Sequence, residues 1–208
     1  MLSYLPAFLA VGAVAGFLAG LLGVGGGLIV VPALVFVFEH AAVAPQHVLH
    51  LALGTSLASI LFTSLSSIRS HHARGAVNWA IVRAISPGIL LGTFGGATVA
   101  GQISTLGLKW FFVAFATLVG LQMFTGTKPR AARELPGGAG MFAAGGAIGM
   151  ISSFVGIGGG SLSVPFMSWC NVAIHQAVGT SAAIGFPIAL AGALGYLVKP
   201  VHPEELLA

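Results

Sequence analysis

A chain of 208 residues that is 57% hydrophobic and only 6% charged does not have the composition of a soluble globular domain, in which about a quarter of residues are charged. Its formal charge of +4 comes from eight Lys and Arg against four Glu, and no stretch interleaves basic and aromatic residues, which argues against nucleic acid as a partner. Cys170 is the only cysteine, so neither an internal disulfide nor a thiolate metal site can form within one chain.

In chain order, the first apolar block covers residues 5–38. No Lys or Arg precedes it and it is too long for a cleaved signal peptide, so it is expected to remain as a span. Gly23-Val24-Gly25-Gly26-Gly27 interrupts it and Pro32 follows. Glycine weakens a helix and proline removes a backbone donor. The block is therefore predicted to be discontinuous, with a second half-helix starting near Leu28. Blocks 48–68, 81–100 and 106–127 each match the ~20 residues that cross a hydrocarbon core, and the first of them carries the triplet Gly54-Thr55-Ser56.

The stretch around Lys128, Pro129, Pro136, Gly137 and Gly138 reads as a polar linker. Beyond it the pattern returns. Block 139–168 is again long, broken at Gly156-Ile157-Gly158-Gly159-Gly160 and followed by Pro165, and block 177–198 carries Gly179-Thr180-Ser181. The chain thus divides into a first repeat of four spans (1–127), a cytoplasmic linker (128–138) and a second repeat of two spans (139–208). The fold class is an all-α integral membrane protein of about six transmembrane helices, with spans one and five broken. Interrupted helices at matching positions of two repeats are the sequence sign of a transport site.

Charge sets the expected orientation. Arg69, Arg74, Arg83, Lys128, Arg130, Arg133 and Lys199 fall on one side if every block crosses, and only Lys109 on the other. That bias puts the N-terminus in the cytoplasm. It also favours two spanning, unwound glycine blocks over re-entrant hairpins, since a non-crossing first block would place those charges outside. The two breaks then lie an even number of spans apart, which makes the repeats parallel. Tyr4, Trp79, Trp110, Trp169 and Tyr196 are expected at span ends. The stripes Gly12, Gly16, Gly20 and Gly88, Gly92, Gly96 are read as close helix packing.

Unwinding at the glycines exposes the first backbone N–H groups of a half-helix, and the helix dipole adds about half a positive charge there. Such an end attracts anions, and glycine lets a ligand approach the backbone. Candidate ligand-binding residues are Gly25, Gly26, Gly27 and Leu28 at the first break, with Thr55 and Ser56. At the second they are Gly158, Gly159, Gly160 and Ser161, with Thr180 and Ser181. Gly23, Pro32, Gly156 and Pro165 define the breaks, because Pro32 cannot donate to the carbonyl of Leu28, nor Pro165 to that of Ser161. The four acidic residues, Glu39, Glu134, Glu204 and Glu205, all lie at span ends or in loops. Cation carriers usually hold an ionisable residue at mid-membrane, so the expected substrate is a small tetrahedral or pyramidal oxyanion.

Leu22 to Pro32, Leu53 to Ser56, Ser153 to Pro165 and Val178 to Ser181, with spans reading 87–100 and 108–124 between them, resemble the paired signatures of the sulfite exporter (TauE/SafE) family of membrane permeases. The resemblance implies a bacterial or archaeal inner-membrane transporter that moves sulfite, sulfonates or related sulfur-containing anions, commonly outward. Family members usually carry four spans per repeat, whereas the second repeat here has two. Either the chain is part of a longer one or it is a short variant that completes its pathway by association, and the expected partners are a small anionic substrate, the lipid bilayer and a second copy in a homodimer.

No cofactor, metal or catalytic group is expected. The histidines match no helix-borne zinc spacing, and the spans offer no nucleophile with a base and an orienting group. An anion channel and a membrane protein without a substrate remain alternatives to a carrier working by alternating access. Saturation and counterflow would mark the carrier.

Overall fold

The computed structural model describes residues 9–10, 12–17, 26–40, 44–126 and 133–198, and all the regular structure among them is helical. Residues 12–17 form part of a helix. The named helices are α1 (Gly27–His40), α2 (Pro45–Ala73), α3 (Trp79–Ala100), α4 (Thr105–Thr125), α5 (Gly138–Val155), α6 (Gly160–Trp169) and α7 (Ile174–Leu197). Five of them, α2, α3, α4, α5 and α7, are long and apolar enough to cross a membrane. α1 is shorter, at 14 residues.

The helix starts follow local chemistry. Pro45 opens α2, where a missing N–H leaves no bond unmade. Asn78 caps α3 by accepting from the N–H groups of Ala80 and Ile81 at 3.1 and 3.3 Å, and Ser104 caps α4 through the N–H of Gly107.

Small residues set the packing. A Cβ on Gly88 or Gly92 would strike the backbone of Phe142 or Gly146, and one on Gly145 or Gly149 would strike that of Ile85 or Ile89. Helices α3 and α5 therefore lie backbone to backbone and run parallel, the arrangement small residues allow in a bilayer. Gly12 and Gly16 behave differently, since nothing lies within 4 Å of a Cβ at either, so the packing expected of that stripe is not seen among the described residues. Gly20 lies outside them. α4 contributes only Leu108 to the interior and exposes Leu106, Trp110, Leu118, Leu121 and Phe124.

The directions of the helices correct the expected topology. Gly54 faces Tyr196, and Gly192 and Gly185 face Leu57 and Ser64, so α2 and α7 run antiparallel. These are the two helices that carry the Gly-Thr-Ser triplets. At one end of the bundle Gly179 packs on Ala76, and Thr180 Oγ1 accepts the N–H of Asn78 at 2.9 Å. At the other end Thr105 Oγ1 donates to the Gln46 carbonyl at 2.6 Å, and Lys109 pairs with Glu39 at 3.8 Å.

The second glycine block does not cross. α5 climbs from the end where α3 begins, and α6 turns back. Its last residue, Trp169, accepts the N–H of Arg133 at 3.4 Å, and the Arg133 guanidinium lies 4.9 Å from the Trp169 ring. Arg133 precedes α5, so the block enters and leaves at the same end. The reason is conformational. Gly156 and Gly159 both sit in the left-handed region, at φ 70° and 83°, which reverses the chain where an unwound span would have continued it.

Two expectations fall with this finding. α1 runs from the break toward Lys109 while α6 runs from its break toward Arg133, so the equivalent half-helices point in opposite directions and the two halves are not parallel. α7 ends beside Gly54 and Ala97, at the Lys109 end, which removes the basis for grouping Lys199 with the arginines. Whether the first glycine block crosses turns on residues 18–25, which lie outside the described residues, as do Lys128, Arg130 and Lys199. Tyr196 lies one residue before the end of α7, the span end expected of it, and also makes a bond into the bundle. Its hydroxyl donates to the Ser153 carbonyl at 2.9 Å.

Candidate functional site

The two breaks meet. A Cβ on Gly27 would strike the Gly156 carbonyl and lie 2.8 Å from Ile157 Cα, which places the start of α1 against the turn between α5 and α6. Ser56 on α2 closes the contact from the side, donating its hydroxyl to the same Gly156 carbonyl at 2.8 Å while fully buried.

Each half-helix begins on a carbonyl that turns inward. Gly26 accepts from the N–H of Ile29 at 3.1 Å and Val30 at 2.8 Å. Gly159 accepts from the N–H of Leu162 at 3.1 Å and Ser163 at 2.7 Å. The N–H groups of Gly27, Leu28 and Gly160 stand ahead of these bonds and have no intrahelical acceptor. α1 thus starts one residue before the expected Leu28. Ser163 Oγ lies 2.7 Å from the Gly159 carbonyl and 2.9 Å from Ser181 Oγ. A hydroxyl has one proton to give, so Ser163 donates to Gly159 and Ser181 donates to Ser163.

Beside the breaks lies a cavity of about 760 Å³. Of the residues expected in the site, Gly26, Gly27, Thr55, Ser56, Gly158, Gly160 and Ser181 line it. Leu28, Gly159, Ser161 and Thr180 do not. Gly159 is packed under Ile188 and Ile184, and Thr180 spends its hydroxyl on the start of α3. Thr180 is thereby a structural residue at the arginine end of the bundle. Gly23 and Gly25 lie outside the described residues. Pro32 and Pro165 sit within α1 and α6, one turn past each start.

The sequence reading missed a polar stripe on α2. Ser59, Thr63, Ser64, Ser67 and His71 line the same cavity below Ser56. Their spacing follows one helical face, and that periodicity was the available signal. The stripe runs from the breaks toward the end that carries Arg74. Among the described residues no Asp or Glu lines the cavity to repel an anion, and the polar groups of its wall are hydroxyls, backbone amides and one imidazole.

A second cavity of about 880 Å³ lies at the Lys109 end and is lined by Gln46, His47, His50, Thr105 and Tyr196 among others. Thr55 lines both cavities. Two cavities toward opposite ends of a bundle of apolar helices, with Thr55 in the lining of both, belong to a multi-pass membrane protein.

The sulfite exporter TauE/SafE family matches this chain over residues 8–208. The chain is 34% identical over 212 residues to a probable membrane transporter protein of Haemophilus influenzae, an alignment that covers the whole chain and 80% of the relative. It is 30% identical over 197 residues to one of Methanocaldococcus jannaschii, covering 93% of the chain and 72% of the relative. It is 29% identical over 192 residues to the probable membrane transporter protein YdhB of Bacillus subtilis, covering 88% and 75%. No solved structure matches. The chain belongs to the sulfite exporter TauE/SafE family and is a membrane transporter.

Proposed function

We propose that the chain is a secondary transporter of small sulfur-containing anions, such as sulfite or organosulfonates, and that it moves them outward across the inner membrane by alternating access. One observation carries this reading. The starts of α1 and α6 converge on a single cavity whose wall, among the described residues, offers N–H and hydroxyl groups and no carboxylate. Two helix N-termini in a weakly screened interior attract negative charge, and Thr55 supplies a hydroxyl beside them, while Ser56 and Ser181 hold the surrounding backbone and Ser163 in place.

The opposed directions of α1 and α6, and of α2 and α7, suit halves related by an axis in the membrane plane, and halves of that kind exchange access by rocking about a fixed site. The end that carries Arg69, Arg74, Arg83 and Arg133 is assigned to the cytoplasm by its positive charge. The hydroxyl stripe of α2 then leads from the cytosol to the breaks, and the His47 and His50 cavity opens outward.

The test is a binding panel on the purified chain with sulfite, sulfate, thiosulfate, sulfoacetate and chloride. Saturable binding of sulfite or sulfoacetate over chloride is the expected result. Binding of none of the sulfur anions would leave the substrate reading without support.

A further inference from the structure

We propose that the cavity at the Lys109 end is a second anion station, at which His50 takes up one proton on Nδ1 together with one anion; the inference rests on the transport reading above. His50 lies on α2 one turn before Gly54 and Thr55, and its Nε2 is 3.0 Å from the Ala100 carbonyl. A carbonyl only accepts, so Nε2 carries the hydrogen and Nδ1 is the basic nitrogen. Nδ1 is buried and has no hydrogen-bond partner.

A proton on that nitrogen creates a buried donor and a buried positive charge in one step. Neither would find a protein partner, and leaving both unmatched is strongly unfavourable. Uptake therefore calls for a mobile acceptor that carries negative charge. Among the described residues no carboxylate lines the cavity wall to supply it.

The neighbouring groups leave the role to His50. Among the described residues the other titratable side chains in the lining are His47 on the same helix and Tyr196 on α7, and the tyrosine hydroxyl is committed to the Ser153 carbonyl at 2.9 Å. The junction of α3 and α4 contributes Gly101, Ser104 and Thr105, none of which titrates. Lys109 on α4 is paired with Glu39 on α1 at 3.8 Å. The Thr105 hydroxyl donates to the Gln46 carbonyl.

Neutral imidazole, one proton from water in the cavity and one monoanion combine to an imidazolium–anion pair with no net charge. The proton returns to water when the anion leaves. Thr55, one turn further along α2, opens onto both cavities, so the pair forms at the entrance to the helix breaks.

The experiment uses the full chain in proteoliposomes with methanesulfonate, a sulfonate whose own charge stays constant near neutral pH, and follows anion uptake together with proton movement. In the wild type, flux rises at least about fivefold between about pH 8 and about pH 6, the range in which imidazole ordinarily titrates, and protons accompany the anion. His50→Gln loses both the rise and the proton movement, while His175→Gln, exposed at the start of α7 and outside both cavity linings, keeps them. A His50→Gln protein that retains the rise and the proton movement overturns the inference alone. Absence of methanesulfonate flux in the wild type overturns the transport reading and this inference with it. A readout that needs no variant is ¹⁵N-histidine NMR of the wild type, in which methanesulfonate promotes protonation of His50 Nδ1; an unchanged Nδ1 signal contradicts the proposal.

Discussion

The hydroxyl of Ser56 on α2 donates to the carbonyl of Gly156 at 2.8 Å, and Gly27 is packed against that same peptide. The first Gly-Thr-Ser triplet, the first helix break and the second helix break are thereby joined at one point. Ser56→Ala leaves a buried carbonyl without its side-chain donor, a loss of about 1–3 kcal/mol. It is expected as a lower Tm of the purified protein with a parallel fall in anion flux. An unchanged Tm would show that the bond contributes nothing.

The two glycines at the start of α1 should respond differently to the same substitution. Among the described residues Gly26→Ala meets only Val30 Cγ2, at 3.9 Å, whereas a methyl at Gly27 strikes the backbone of Gly156 and Ile157. Backbone cannot give way as a flexible side chain does. Gly26→Ala is expected to purify as well as wild type, and Gly27→Ala to lose most of its folded, monodisperse yield. Equal yields would contradict the close contact of the breaks.

The threonines of the two triplets have separated roles. Thr55 lines both cavities, while Thr180 accepts the N–H of Asn78 at 2.9 Å. Thr180→Ala should lower stability by about 1 kcal/mol and leave the Kd for anion unchanged. Thr55→Ala should weaken binding with little effect on Tm. Calorimetry and thermal melts on the two variants check the split, and a binding loss confined to Thr180→Ala would reverse it.

The return of α6 makes a labelling prediction. In a Cys170→Ser background, Ala173→Cys should react with an impermeant maleimide from the same side of the membrane as Ala73→Cys, and from the opposite side to Gln102→Cys. Reaction of Ala173→Cys together with Gln102→Cys would mean that the second glycine block crosses. The native Cys170 should itself label slowly. Burial raises its thiol pKa, although Arg133 pulls the other way, and thiolate is the reactive form.

The five long apolar helices, the second break and the nearness of Ser56 to a glycine block were legible from residue types, because hydropathy and glycine density report directly on where a membrane helix can exist and where it cannot continue. The path of the chain after the second break was not. A long apolar block with glycines in its middle has the same composition whether it unwinds and crosses or turns back. The difference lies in the left-handed conformations of Gly156 and Gly159, which glycine permits without requiring. That single reversal moved the end of α7 to the opposite end of the bundle and turned an expected parallel relationship into an opposed one. Thr180 was misjudged for a related reason, since adjacent positions in a helix face different neighbours, and the triplet alone does not tell which hydroxyl points to the cavity and which caps α3.

The central claim is that the anion sits where the two half-helices begin, and sulfite binding to Gly26→Leu tests it most directly. The added side chain projects from a residue that lines the cavity, where even a Cβ meets nothing closer than 3.9 Å. Titration calorimetry is expected to show a Kd weaker than wild type by at least about tenfold, or about 1.4 kcal/mol, with Tm unchanged. A Gly26→Leu protein that folds and binds sulfite with wild-type affinity would contradict the account.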